Sequence, residues 1–248
     1  MRLAGSKEIE GVLKDMYNFT YLGKAIHRLR NVNRRNAVFI WIPKNAGTSL
    51  YSALRPYGCM KAKKLARVKY RFSQQGLVTF AHMDYHELVR QGHVKREFDR
   101  TAFKFCFCRN PYDRAISVYT YLMAVLGVQT TFLDFWRDVQ INGVESIGLH
   151  NGHDTLHCNA QVRWIEKLDI DFVGRFETLD EDFARLTGQL DLSGAELERL
   201  NSSRRKPVAD YFCRQSKQII EDLYAEDFDY FGYRFETDED LGIRKTVG

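Results

Sequence analysis

The stretch AVFIWIPKNAGTSL, from Ala37 to Leu50, predicts a buried strand that runs through a tight loop into a helix. Its first part, Ala37 to Ile42, is almost entirely apolar and β-prone, which is typical of a strand covered on both faces of a parallel sheet. Pro43 ends the strand, and small or turn-forming residues follow, so backbone N–H groups and the positive end of a helix converge on one point. Lys44 adds a full positive charge there. The segment is therefore suited to bind a phosphate or a sulfate group.

The loop after Lys44 supplies the candidate ligands of that anion. They are the backbone N–H groups of Asn45, Ala46, Gly47, Thr48 and Ser49, together with the hydroxyl groups of Thr48 and Ser49. We expect Thr48 and Ser49 also to cap the helix that begins there. The nucleotide-binding loop G-x-x-x-x-G-K-[ST] has its lysine after the glycine, whereas Lys44 precedes Gly47, so this is not a nucleotide triphosphatase loop. An ordinary strand-to-helix turn is the alternative interpretation.

A second segment, TAFKFCFCRNPYDRAISVYTYL from Thr101 to Leu122, repeats this design. It predicts a strand at Ala102 to Cys108, a break at Asn110-Pro111, and then a helix. Arg109 stands just beyond the strand, where an open parallel sheet places its ligands. A phosphate held by Arg109 could also contact the hydroxyl of Ser117 on the following helix. Two anion sites in one sheet indicate a ligand with two phosphate-like ends.

Together the two segments resemble the sulfotransferases that use 3′-phosphoadenosine 5′-phosphosulfate, in particular the carbohydrate (type 2, Golgi-like) family. In that family a P-K-x-x-[GS]-[ST]-[ST] loop binds the 5′-phosphosulfate, and an R-[ND]-P-x-x-R-x-x-S-x-Y segment binds the 3′-phosphate. Residues Pro43–Ser49 fit the first motif, and Arg109–Tyr119 fill every fixed position of the second. DFVGRFETLDEDF (Asp171–Phe183) and FDYFGY (Phe228–Tyr233) also resemble family segments, so the resemblance covers residues 35 to 235.

The alternation of predicted strands and helices indicates an α/β fold, a three-layer α/β/α sandwich with a mostly parallel central sheet. The resemblance implies the same P-loop-like sulfotransferase architecture. We expect one domain over residues 1–248, with its core at 35–235 and an amino-terminal helical extension at 1–34. A chain of 248 residues with 44% apolar content is long enough to build such a core.

The remaining pattern predicts a basic linker at Lys61 to Arg71 and a long loop over the site, rich in Gly, His and Asn, at Asn142 to Asn159. Further strands are predicted at Leu77 to Ala81 and Phe172 to Phe176. Helices are predicted at Ile9 to Leu29, Phe132 to Val139, Leu179 to Leu190 and Val208 to Tyr224.

The resemblance implies transfer of a sulfuryl group from this donor to an acceptor hydroxyl. Lys44 is placed to stabilise charge on the leaving phosphate. His82, at the end of the Leu77 strand, is the candidate catalytic base, since the family often has a histidine at this point. A neutral imidazole with a pKa of about 6.5 can accept a hydroxyl proton at cellular pH. A structural histidine is the alternative, and the other candidates for the base are Asp84, His86 and His93.

The acceptor implied by the resemblance is a carbohydrate. Sugar faces could stack on Phe132, Phe135, Trp136 or Trp164, although core packing is the better explanation for any one of these rings. Arg204 lies in a loop that closes over the nucleotide in related enzymes, so it is a candidate contact of the 3′-phosphate or of the acceptor. Lysine and arginine cluster at Lys61 to Arg71 and at Arg204 to Lys206, which suits an anionic cofactor or a polyanionic acceptor, although a solvated face explains the first cluster about equally well. The net charge of +5 is modest, and no nucleic-acid-binding motif is present.

Two other classes of protein fit parts of the pattern. A P-loop-type kinase or nucleotide-binding protein is disfavoured, because no lysine follows Gly47 and because Arg109 stands where a magnesium-binding aspartate would be expected. A catalytically silent nucleotide-binding module would keep both phosphate sites and lose the base. We expect no metal, because Lys44, the helix end and Arg109 supply the positive charge. A zinc site would nevertheless also be compatible with the spacing of four residues, His150, His153, His157 and Cys158.

The sequence predicts a soluble, cytoplasmic protein. No stretch reaches the roughly 18 apolar residues of a membrane span, and the amino terminus lacks a signal-peptide core. Five cysteines, with Cys106 and Cys108 on the same face of a buried strand, indicate reduced thiols. A soluble catalytic domain of a membrane-anchored enzyme is the alternative.

Overall fold

The computed structural model describes residues 21–32, 34–127, 129–143, 155–192, 194–198 and 206–243. Its strands are β1 (Ala37–Ile40), β2 (Met60–Lys61), β3 (Leu77–Thr79), β4 (Phe103–Cys108) and β5 (Phe172–Arg175). They form one sheet in the order β2-β3-β1-β4-β5, and each pair of neighbouring strands is parallel. The carboxyl ends of all five strands therefore lie at one edge of the sheet.

Helices pack around this sheet. In chain order they are α1 (residues 21–30), α2 (Gly47–Leu54), α3 (Leu65–Arg71), α4 (Tyr85–Arg90), α5 (Arg96–Thr101), α6 (Pro111–Leu126), α7 (Phe132–Asn142), α8 (Leu179–Gln189), α9 (Arg214–Leu223) and α10 (Ala225–Phe231). The longest, α6, begins where the Asn110 side chain accepts hydrogen bonds from the N–H groups of Tyr112 and Asp113. It ends at Gly127, which has a left-handed φ of 64°.

Alternating residues of the central strands divide the core between the two faces of the sheet. Phe39 and Phe105 pack on the face covered by α2 and α8. Val38 and Cys106 pack on the opposite face, with residues of α3, α4 and α5. A third apolar cluster joins α6, α7, α9 and α10, with the buried Trp136 among its members. The predicted three-layer α/β sandwich is confirmed.

Several predicted elements need correction. The stretch Lys61 to Arg71 is not a linker, because it contains the end of β2 and all of α3. The single late helix predicted at Val208 to Tyr224 is a 3₁₀ turn at Val208–Asp210 followed by α9. Predicted strands Ala37 to Ile42 and Leu77 to Ala81 each end two residues earlier, at Ile40 and Thr79.

Two predicted segments lie partly outside the described residues. Residues 21–30 of the predicted amino-terminal helix are helical, and the part before residue 21 is not described. The predicted loop at 142–159 is described only at residues 142–143 and at 155–159, which include a 3₁₀ turn at Thr155–Cys158. Within the described residues, no helix combines the length and the apolar character that a membrane span requires.

Candidate active site

The predicted site residues Lys44, His82 and Arg109 lie at the carboxyl edge of the sheet. The loop from Trp41 to Gly47 follows β1, Arg109 follows β4, His82 lies just after β3, and Lys61 ends β2. Because the strand order is β2-β3-β1-β4, these groups succeed one another along the edge in the order Lys61, His82, the β1 loop and Arg109. The two basic loops thus leave adjacent strands, and the histidine lies next to the first of them.

The β1 loop reaches α2 through two residues in the left-handed region of backbone conformation. Lys44 has a φ of 71° and Ala46 a φ of 58°. Helix α2 begins at Gly47, and its N-cap residue is Ala46, whose side chain cannot form a capping hydrogen bond. The prediction that Thr48 and Ser49 cap this helix is therefore wrong, since both lie inside its first turn. Its positive end begins at the loop that carries Lys44.

A tight contact with Trp41 explains the glycine at the start of α2. A Cβ added to Gly47 would lie 1.9 Å from Nε1 of Trp41. The Trp41 indole is also stacked on Phe39 and Tyr51, with ring centroids 5.8 and 6.0 Å away. Only glycine allows the helix to start this close to the indole.

Arg109 reaches from the end of β4 to the β1 loop. Its side chain is only 3% exposed. Nε donates to Oδ2 of Asp113 at 2.6 Å, Nη1 donates to the backbone carbonyl of Lys44 at 3.0 Å, and the guanidinium lies 3.8 Å from the ring centre of Phe176. Arg109 therefore connects the two predicted anion sites, with Asp113 as a counter-charge.

Arg114 has a different place from the one that its motif position suggests. It is fully buried, and it donates to the carbonyl of Pro43 from Nε at 3.3 Å and to the carbonyl of His157 from Nη2 at 2.9 Å. Arg114 therefore supports the β1 loop from within the core, and its charge is not exposed at the carboxyl edge of the sheet. Ser117 lies on the same helix and is 6% exposed, and its predicted contact with a phosphate stays a prediction.

No sequence motif points to Gln161, whose side chain makes four hydrogen bonds in the site. Its Oε1 accepts from Nδ2 of Asn45 at 2.7 Å and from the backbone N–H of Arg109 at 2.9 Å. Its Nε2 donates to the carbonyl of Arg109 at 2.9 Å and to Oδ2 of Asp227 at 3.1 Å. Asn45 also donates to the carbonyl of Phe107 at 2.7 Å, so the β1 loop is fastened to the end of β4.

The carboxyl group of Asp227 anchors this network. It accepts from the backbone N–H of Gln161 through Oδ2 and from that of Val162 through Oδ1, both at 2.9 Å. Burial raises the pKa of Asp227, while the positive charge of Arg114 and the hydrogen bonds from Gln161 and Val162 lower it. Gln161 and Asp227 are fully buried, and each of their polar side-chain atoms has a hydrogen-bond partner in this network.

His82 has a defined tautomer in its neutral form. Its Nδ1 lies 3.1 Å from the carbonyl oxygen of Trp41. A carbonyl can only accept, so Nδ1 carries the proton and Nε2 keeps the lone pair that a general base needs. The ring meets Trp41, His157 and Trp164 edge-on, at centroid distances of 5.6, 5.2 and 6.0 Å. Asp84, an alternative candidate, instead caps α4.

An aromatic contact connects Lys44 with the histidines. The Nζ atom of Lys44 lies 4.1 Å from the ring centre of Tyr121, which is close enough for a cation–π interaction. Tyr121 stacks on His157 at 5.0 Å, and His157 meets His82. The ammonium of Lys44 is thereby held on a rigid surface at the edge of the sheet.

The structure tests only part of the zinc interpretation, because it describes two of the four candidate ligands, His157 and Cys158. His157 packs its ring between Tyr121 and His82, and burial raises the pKa of Cys158 to about 12, although Arg114 opposes the shift. In the part of the chain that the structure describes, no group of three or more metal-ligating side chains is assembled. His150 and His153 lie outside the described residues, as does Arg204.

A lysine with an altered pKa lies beyond His82. The Nζ atom of Lys61 is 3.8 Å from the ring centre of Trp41 and 4.7 Å from that of Tyr51. Burial and the nearby charge of Lys63 lower the pKa of Lys61 to about 8, although Cys59 opposes the shift. The rings that flank Lys61 thus also border the β1 loop.

Two braced basic loops and a histidine thus lie at successive strand ends of a parallel sheet, which is where α/β enzymes bind their ligands. The model of the Sulfotransferase family matches residues 28–234, and the chain belongs to this family. The resemblance noted from the sequence is thereby confirmed. No curated protein matches the sequence.

Proposed function

We propose that the protein transfers a sulfuryl group from 3′-phosphoadenosine 5′-phosphosulfate to a hydroxyl group of a carbohydrate acceptor. Family membership supplies the class of reaction. The observation that best supports the donor is the pairing of two basic loops on adjacent strands, joined by the 3.0 Å hydrogen bond from Arg109 to the carbonyl of Lys44. Such a pair suits a ligand with two anionic ends.

In this proposal each loop binds one end of the donor. The loop from Lys44 to Ser49, with the positive amino-terminal end of α2, binds the 5′-phosphosulfate. Arg109 and Ser117 bind the 3′-phosphate, which would share or replace the carboxylate of Asp113 as the partner of Arg109. Arg204 would contact either the 3′-phosphate or the acceptor.

Lys44 and His82 have the catalytic roles. Transfer forms a bond between sulfur and the acceptor oxygen while the bond from sulfur to the phosphate oxygen breaks. Lys44 stabilises the negative charge that develops on that phosphate oxygen. His82 accepts the hydroxyl proton on Nε2, because its Nδ1 already donates to the carbonyl of Trp41.

The acceptor would approach from the side of β3 and β2, because the donor loops follow β1 and β4. Trp164 is only partly buried and lies beside His82, so it offers a surface on which a sugar ring can stack. The other candidate rings, Phe132, Phe135 and Trp136, are buried in the core. All five cysteines are free thiols, which supports a cytoplasmic location.

The test measures formation of adenosine 3′,5′-bisphosphate from the donor with pooled glycans as acceptors. We expect product with the wild-type protein, and loss of binding to the bisphosphate of about 2–4 kcal/mol, or 30- to 1,000-fold, for Arg109→Ala. Adenosine 5′-phosphosulfate, which lacks the 3′-phosphate, should lose much less affinity, because for this ligand Arg109→Ala removes only the hydrogen bond that supports the Lys44 loop. Arg90→Ala removes an exposed arginine that pairs with Glu87 and is the matched control.

Two results would contradict the proposal. Equal losses for the two nucleotides would remove Arg109 from the 3′-phosphate site. Tight, magnesium-dependent binding of ATP, with no sulfuryl transfer to any acceptor, would favour a nucleotide kinase instead.

A further inference from the structure

We infer that Gln161 is a positioning residue that fixes the spacing of the two basic loops, the β1 loop with Lys44 and the loop after β4 with Arg109. The two ends of the donor then bind cooperatively. This inference rests on the proposed function, because it concerns a ligand that joins both loops. Gln161 lies outside both sequence motifs, between the 3₁₀ turns at Thr155–Cys158 and Val162–Trp164.

The side-chain amide of Gln161 bridges the loops directly. One oxygen, Oε1, accepts from Asn45 of the β1 loop and from the backbone N–H of Arg109, at 2.7 and 2.9 Å. Because both donors converge on a single atom, neither loop can shift without lengthening one of these bonds. The Nε2 group completes the clamp by donating to the carbonyl of Arg109 at 2.9 Å.

Gln161 is itself held by a third element. Its backbone N–H and its Nε2 both donate to Oδ2 of Asp227, at 2.9 and 3.1 Å. Asp227 belongs to α10, so the reference point of the clamp lies outside both loops. Gln161 and Asp227 are fully buried, and the four side-chain hydrogen bonds of Gln161 use both of its polar atoms.

This geometry has a consequence for binding. When one ligand engages two sites, the second contact gains an effective concentration that depends on how well the spacing of the sites matches the ligand. Sites that are already correctly spaced also avoid the cost of ordering them. A residue that sets the spacing therefore affects a bisphosphate strongly and affects each single phosphate weakly.

The variant that tests this is Gln161→Met, which keeps the length of the side chain and removes the amide. Gln161→Asn keeps the amide and shortens the chain by one methylene, so the test does not depend on the folding of one variant. Gln218→Met replaces an exposed glutamine that bonds to Asp222 on α9, and it is the matched control.

Calorimetry gives the affinities of each protein for adenosine 3′,5′-bisphosphate, adenosine 5′-phosphate and adenosine 3′-phosphate. For both Gln161 variants we expect bisphosphate affinity to fall by about 10- to 100-fold, as for a misplacement near 1 Å. The two monophosphates should change by less than about 3-fold, because each contacts one loop only. Gln218→Met should match the wild-type protein for all three ligands.

The outcomes separate positioning from general support of the fold. Equal losses for all three ligands would overturn the inference, because a purely structural role lowers every affinity together. Unchanged bisphosphate affinity would overturn it too. If the wild-type protein binds the bisphosphate no more tightly than the monophosphates, the donor assignment fails first, and the inference fails with it.

Discussion

The replacement Gly47→Ala tests the close packing at the start of α2. The added Cβ would lie 1.9 Å from Nε1 of Trp41 and 2.3 Å from its Cδ1 and Cε2, whereas ordinary contacts begin near 3.4 Å. The indole has little room to retreat, because Phe39 and Tyr51 stack on it. The backbone carbonyl of Trp41 also accepts a hydrogen bond from Nδ1 of His82. The substitution must therefore displace either the helix start or the indole.

The expected loss of stability follows from these contacts. Overpacking of this kind costs about 1–3 kcal/mol. The better helix propensity of alanine offsets less than about 1 kcal/mol of it. For a domain of this size, the thermal midpoint of Gly47→Ala should fall by about 2–8 °C. Affinity for adenosine 3′,5′-bisphosphate should also fall, because the loop that carries Lys44 is displaced.

Gly188→Ala is the control for this measurement. Gly188 also lies in a helix, α8, but no atom of the described residues lies within 4 Å of its added Cβ. This variant should be as stable as the wild-type protein or slightly more stable. In the double variant with Trp41→Leu, Gly47→Ala should cost less than it does alone. A Gly47→Ala protein with wild-type stability and nucleotide affinity would refute the explanation.

Three further predictions concern the edge of the sheet. His82→Ala should lower transfer by about 10²–10⁴-fold while bisphosphate affinity stays unchanged, and a variant that keeps more than about a tenth of the wild-type rate would move the role of base to another residue. Tyr121→Leu should lower turnover more than Tyr121→Phe, because only the phenylalanine ring keeps the cation–π contact with Lys44, and equal rates would exclude that contact. Because the pKa of Lys61 is lowered to about 8, about half of this side chain is neutral at pH 8, against roughly 0.4% of an ordinary lysine. Lys61 should therefore react with amine-directed esters at pH 8 faster than other lysines. Peptide mass mapping that finds no such preference would contradict the lowered pKa.

The sequence was most informative where strands are buried on both faces. The segments that form β1 and β4 are nearly continuous apolar runs, and such runs predict central parallel strands. By contrast β2 has only two residues, Met60–Lys61, within a basic stretch, and it depends on pairing with β3. The short helices α4 and α5 were also missed, because six residues carry too little periodicity to detect.

Lys44, His82 and Arg109 could be placed at one edge of the sheet from the sequence, because parallel topology alone brings the strand ends together. The residues that brace this site could not be found in this way. Gln161 bonds to Asn45 and Asp227 across 116 and 66 positions of the chain, and no local pattern reports such a contact. Arg114 shows a related difficulty, since its helical position does not say whether it faces ligand or core.

The connection between the amino-terminal end of α6 and the last described residues determines where this protein can be shortened. Asn110 donates from Nδ2 to Glu236 at 2.9 Å, and Tyr112 OH accepts from the Glu236 backbone N–H at 3.3 Å. Leu241 is only 1% exposed within the apolar cluster of the surrounding helices. The family match ends at residue 234, two positions before Glu236. A gene fragment trimmed to the family boundary would therefore encode a protein that lacks part of its own core. Its helix α6 would also lose the hydrogen bonds that Glu236 makes at the first turn.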